Sequence, residues 1–116
     1  EIEPDEIKSY IKKGKLLRKL GEHDKELECY VQASHSRLQS SDFKKLGTIL
    51  MDIEHYEKAL KCFEKAITSE PNESELYICK GKALHKLGLS DQEVECYTQA
   101  LKLGMNDDND YEVVGT

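Results

Sequence analysis

No stretch of this 116-residue chain stays apolar for anything near the ~20 residues that a membrane-spanning helix needs. No basic start leads into an apolar run, so no secretory signal is expected. The chain begins at Glu1 rather than Met, as a fragment or a processed product would. CxxC, HExxH, the lysine-bearing phosphate loop and GxSxG are all missing. The histidines, His23, His35, His55 and His85, lie at different places in the chain's repeat period, and no two of them share ligand spacing with a carboxylate on one helix face. The expectation is therefore a non-enzyme with no catalytic residue, no metal and no cofactor. Bases are also short: 17 Lys and Arg stand against 23 Asp and Glu, for a net charge of −6.

What is present is repetition. Tyr10 to Ala33 reads YIKKGKLLRKLGEHDKELECYVQA, and Tyr77 to Ala100 reads YICKGKALHKLGLSDQEVECYTQA, aligned without a gap. A looser copy, Phe43 to Ala66, lies between them. Gly14, Gly47 and Gly81 step by 33 and then 34 residues, as do Tyr30, Phe63 and Tyr97, and Ala33, Ala66 and Ala100. A fixed period of this size marks a stacked array in which each unit needs its neighbours to bury its apolar face.

Within each period an aromatic (Tyr10, Phe43, Tyr77) precedes the glycine by four residues, and a leucine (Leu17, Leu50, Leu84) follows it by three. A later aromatic is followed three residues on by alanine. This pattern resembles the tetratricopeptide repeat, a helix–turn–helix unit of about 34 residues, over roughly residues 7 to 105. Pro71 matches the family's terminal proline, whereas Leu38 and Met105 replace it in the other repeats. Ala59 matches the family's small residue early in the second helix, whereas Glu26 and Glu93 do not. The resemblance implies an all-α, right-handed solenoid of three repeats and six antiparallel helices. We expect an acidic segment at 1–6, a repeat domain at 7–104 divided near 7–39, 40–73 and 74–104, and an acidic tail at 105–116.

The expected helices run from Asp5 or Glu6 to Leu20, Asp24 to His35, Asp42 to Ile53, Tyr56 to Ser69, Glu73 to Leu87, and Ser90 to about Gly104. Tyr10, Gly14, Leu17 and Leu20 form the apolar stripe of the first. Gly21 and Gly88 end helices, and Ser90 with Glu93 suits a capping box. A glycine inside a helix costs about 1 kcal/mol against alanine, so three of them imply a close neighbour. For Gly47 that neighbour is expected at Ala59. Cys29, Cys62 and Cys96 share one place in the period and read as small packing fillers. Cys79, beside Lys80 and Lys82, could be a reactive thiol but reads better as an ordinary helical cysteine. Free thiols suggest a reducing compartment, hence cytoplasm. Glu26 and Glu93 read as structural partners of lysines on the preceding helix.

In the resembling family, first helices line a concave groove. By position that face holds Lys8, Ile11, Lys12, Lys15, Arg18 and Lys19, then Ser41, Lys44, Lys45, Thr48, Met51 and Asp52, then Glu75, Ile78, Cys79, Lys82, His85 and Lys86. Nine of these are Lys or Arg and two are acids, in a chain with more acids than bases. The expected function is a protein-interaction scaffold that takes an acidic peptide or helix, with Ile11, Met51 and Ile78 giving apolar contact. Chaperone-tail binders of the family use two asparagines, two lysines and an arginine. The matching positions here are Ile11, Lys15, Lys45, Glu75 and Cys79, so that clamp is incomplete. One alternative is self-association through the uncapped last repeat or the tail, where Tyr111, Val113 and Val114 could dock. Nucleic-acid binding is disfavoured by the net charge, the single arginine and the lack of an aromatic on this face. No membrane partner is expected.

Overall fold

The computed structural model describes residues 6–36 and 38–104. The acidic start and the acidic tail, with its expected docking, lie outside the described residues. Six helices follow in order: α1 (Glu6–Lys19), α2 (His23–Ser34), α3 (Ser40–Asp52), α4 (Tyr56–Ser69), α5 (Ser74–Lys86) and α6 (Ser90–Gly104). They pack as successive pairs, α1 on α2, α3 on α4 and α5 on α6, with α3 and α5 also packed on the pair before. Links of a few residues force paired helices to run antiparallel. The molecule measures 46 × 30 × 20 Å, as stacking along one axis requires.

Each pair turns the same way. After α1, Glu22 N–H donates to Leu17 O at 2.9 Å and Gly21 N–H to Arg18 O at 3.0 Å, with Gly21 at φ 76°. After α5, Leu89 N–H donates to Leu84 O at 3.0 Å and Gly88 N–H to His85 O at 3.1 Å, with Gly88 at φ 75°. This is the Schellman closure, whose left-handed residue is normally glycine. The middle repeat makes the same turn, His55 N–H to Leu50 O at 2.8 Å, with Glu54 in the left-handed place at φ 65°. The expected capping box at Ser90 does not hold, because Ser90 is already the first residue of α6 and the Glu93 carboxylate turns to His85. A box-like contact forms instead at α3, where Asp42 accepts the Gln39 N–H at 3.4 Å.

The core falls into two clusters. Ile7, Ile11, Tyr30, Ala33, Leu46, Ile49, Leu50, Ala59, Cys62, Phe63 and Ala83 form one buried cluster, and Phe43, Ala66 and Leu76 a smaller one. In α1 the buried stripe is Ile7, Ile11 and Gly14, spaced i, i+4, i+7. Leu20, expected in it, is exposed.

The glycines have their reason in the paired helix. A Cβ on Gly47 would lie 2.5 Å from Phe63 Cε1, and one on Gly81 2.6 Å from Tyr97 Cε1; Gly14 faces Tyr30 in the same way. The close neighbour of Gly47 is thus the Phe63 ring, not Ala59. The joints between repeats differ. α4 packs on α5 much more closely than α2 does on α3. Ile67 and Leu76 join the apolar cluster at the second joint, while their counterparts at the first are Ser34 and Asp42.

Candidate functional site

Two kinds of polar group sit on the first helices: those used to hold the fold and those left over. Glu26 occupies the small-residue position of α2 and is 1% exposed. Arg18 Nε donates to its Oε2 at 2.7 Å, and the Tyr30 hydroxyl donates to the same oxygen at 3.0 Å. His23 Nδ1 stands 3.9 Å from Oε1. Burial, and then the hydrogen bond to Glu26, push the Tyr30 hydroxyl up to about 12. The Glu26 hydrogen bond raises Arg18. In the third repeat His85 Nδ1 lies 3.2 Å from Glu93 Oε1 at the same two positions. In the second repeat those positions hold Met51 and Ala59, and the pair is apolar. The expected lysine partners of Glu26 and Glu93 are therefore Arg18 and His85. Both reach toward their own second helix, so neither is a free charge on the first-helix face.

Ile11 is another correction, because it is buried in the core rather than presented on that face. Met51 is half-buried against the same cluster. The Thr48 hydroxyl donates to Lys44 O at 2.9 Å within its helix. Lys44 on α3 pairs with Glu75 on α5, which ties two first helices together across the repeat boundary and raises the Lys44 ammonium. What is left exposed is Lys8, Lys12, Lys15 and Lys19 on α1, Lys45 on α3, and Lys82 and Lys86 on α5. Among the described residues none of these seven makes an ion pair within 4.0 Å. Ile78 is half-exposed on α5. The second helices are not uniformly acidic: α4 carries Lys58, Lys61 and Lys65 against Glu57 and Glu64.

All four cysteines are free thiols. Cys29, Cys62 and Cys96 are buried; Cys79 is partly exposed. Burial raises every one of them, and at Cys79 it outweighs the lowering by Lys44 and Lys82. Burial at Cys79 therefore favours the thiol over the thiolate. Among the described residues no group of three His, Cys, Asp or Glu is placed to hold a metal ion, and no helix is long and apolar enough to cross a membrane.

Sequence reasoning anticipated an apolar surface on the last repeat but missed one on the first. Leu16 on α1 and Leu20 just after it are exposed, as are Val94 and Leu101 on α6. Leu16 stands where the other two repeats place the buried Ile49 and Ala83.

A stack of helix pairs with a shared period, in which Gly14, Gly47 and Gly81 each face an aromatic of the paired helix, defines a helical-repeat solenoid. The family model described as tetratricopeptide repeat matches residues 7–34, 45–73 and 74–103, and the chain belongs to that family. Among solved structures it is similar to the second tetratricopeptide repeat domain of Spaghetti (RPAP3) bound to the HSP90 peptide SRMEEVD. That likeness has 21% identity and a TM-score of 0.60, covering 86% of this chain and 88% of that one. It is also similar to MamA, with 21% identity and a TM-score of 0.65, covering 89% of this chain and 61% of that one. These likenesses show the fold. No curated protein matches the sequence. The fold is in general a scaffold for protein interaction.

Proposed function

We propose that this chain is a non-enzymatic interaction module that receives an acidic peptide or helix of a partner protein on its first-helix face. One observation carries the reading: seven exposed lysines on that face make no ion pair among the described residues, in a chain of net charge −6. A pairable acid elsewhere in the chain would cost little to recruit, yet the cations stand apart. Charge of one sign on a binding face sets orientation and on-rate. The half-exposed Ile78 and Met51 supply apolar contact between the cations. The acidic peptide in the Spaghetti domain fits the same preference. Of the clamp positions, however, Ile11 is buried and Glu75 is occupied by Lys44. Recognition here rests on charge and spacing rather than on that clamp.

The test is a titration with fluorescent SRMEEVD and a scrambled peptide of the same composition. Both should bind, with similar affinity. Lys12→Glu/Lys15→Glu/Lys45→Glu should weaken both about tenfold or more, from three exposed pairs at about 0.5 kcal/mol each. The difference should shrink with salt as the screening length falls toward about 8 Å. Equal affinity of parent and triple variant at low salt overturns the reading.

A further inference from the structure

We infer that the cleft between α2 and α4, at the first joint, receives a phosphorylated side chain of a partner protein. Exposed Lys58, Lys61 and Lys65 of α4 border it, with His35 from the end of α2. Its floor is the buried Leu50 and Cys62 and the half-buried Val31. The lysines are spaced i, i+3, i+7 and so share one face of α4. Lys65 Nζ donates to Ser34 O at 2.9 Å and lies 5.5 Å from the centroid of the Phe43 ring, which holds that ammonium at the end of α2. Lys58 also borders a second cleft beside Glu54 and Glu57. Even so, among the described residues none of the three lysines makes an ion pair within 4.0 Å.

The other repeats supply the comparison. At the positions of Lys58, Lys61 and Lys65 the first repeat has Lys25, Glu28 and Gln32, and the third has Gln92, Glu95 and Gln99. Lys25 is already paired with Glu22 at 3.5 Å. Only the middle repeat makes all three positions basic, although like charges at these spacings destabilise a helix. Size and charge select the occupant. The cleft holds about 100 Å³, well below the roughly 300–1,000 Å³ of sites for small organic molecules. It admits the head of one side chain and excludes a nucleotide. A phosphate monoester carries about −1.5 to −2 charge at neutral pH, which matches three ammonium groups better than a singly charged carboxylate does. The net charge of −6 opposes an extended polyanion such as a nucleic acid or an anionic bilayer, so the phosphate is one borne by a protein. The cleft lies on the second helices and is built only from the first two repeats, so the inference is independent of the groove reading.

The experiment is an amide NMR titration of the full chain at matched ionic strength. The probes are a capped Leu-phosphoserine-Leu peptide, its serine and glutamate counterparts, and inorganic phosphate. The phosphopeptide should shift the amides of Ser34, His35 and the α4 segment from Lys58 to Lys65 saturably, and the serine peptide should not. The glutamate peptide and inorganic phosphate should bind there at least about fivefold more weakly. Two variants, checked for parental helicity by circular dichroism, remove the site. Lys61→Glu leaves the bond from Lys65 to Ser34 in place, and Lys58→Gln/Lys61→Glu/Lys65→Gln gives α4 the residues of the third repeat. Each should weaken the phosphopeptide about tenfold or more. Lys12→Glu/Lys15→Glu/Lys45→Glu, on the other face, should leave these shifts unchanged, so the two sites are read separately. Shifts that are absent, or spread evenly over the lysines of both faces, overturn the inference. So does a Lys61→Glu variant that binds like the parent. Equal affinity for the glutamate peptide overturns the phosphate assignment, and equal affinity for inorganic phosphate overturns the protein partner in favour of the free ion.

Discussion

Arg18, Glu26 and Tyr30 show how a single position can change a packing solution. A carboxylate 1% exposed is tolerable only if charge and lone pairs are met, and Arg18 and Tyr30 meet them. The second repeat solves the same place with Met51, Ala59 and Phe63. Arg18→Met alone should cost at least about 2 kcal/mol. It leaves a buried charge unpaired, although the partial exposure of Arg18 keeps the loss below the 3–5 kcal/mol of a fully buried pair. Arg18→Met/Glu26→Ala/Tyr30→Phe rebuilds the second-repeat solution and should restore most of that stability in urea melts. A triple variant no more stable than the single one contradicts the equivalence of the two solutions. The Tyr30 hydroxyl gives the same site a pH signature. Its folded value of about 12 lies above the ordinary 10.0, so its contribution is present below pH 10 and lost as pH rises from 10 to 12. Alkaline unfolding should therefore begin in that window, and Tyr30→Phe should move its midpoint upward. At Glu54 the left-handed backbone at φ 65° is strained for a side chain, and Glu54→Gly should stabilise by roughly 1 kcal/mol in thermal melts.

At the scale of the helix, the glycine-to-ring contact decides how each pair closes. Phe63 is almost fully buried, so it cannot retreat from a Cβ placed 2.5 Å away. Gly47→Ala gains about 1 kcal/mol of helix propensity but meets overpacking of about 1–3 kcal/mol, and Gly47→Leu meets more. Both should melt below the parent, Leu lowest, and Phe63→Leu should partly rescue Gly47→Ala. Helix existence, the order of the pairs and the need for a close partner at the glycines were legible in the sequence, because a fixed period repeats the same packing demand three times. Which residue met Gly47 was not. Two candidates, Ala59 and Phe63, lie one turn apart on α4, and only the relative rotation of the helices chooses between them. Ile11 was misplaced for a related reason. Family position put it on the open face, while its own spacing with Ile7 and Gly14 already put it on the buried stripe. Arg18 and His85 escaped notice as structural groups because their partners lie eight residues away across a turn.

At the scale of the molecule, the two joints are unequal. Ile67 and Leu76 seal the second, and Ser34 with Asp42 leaves the first looser. Amide exchange should report this as lower protection in α1 and α2 than in α3 to α6. Ser34→Ile/Asp42→Leu should narrow the gap, and uniform protection across all six helices would contradict the difference. The same inequality has a mechanical meaning. Pulled by its ends, the array should yield first between α2 and α3, shedding one helix pair while the other two remain joined. The molecule then behaves as a stiff two-repeat rod with a compliant third segment. A long ligand laid along it would bend the array at that one joint before bending it anywhere else.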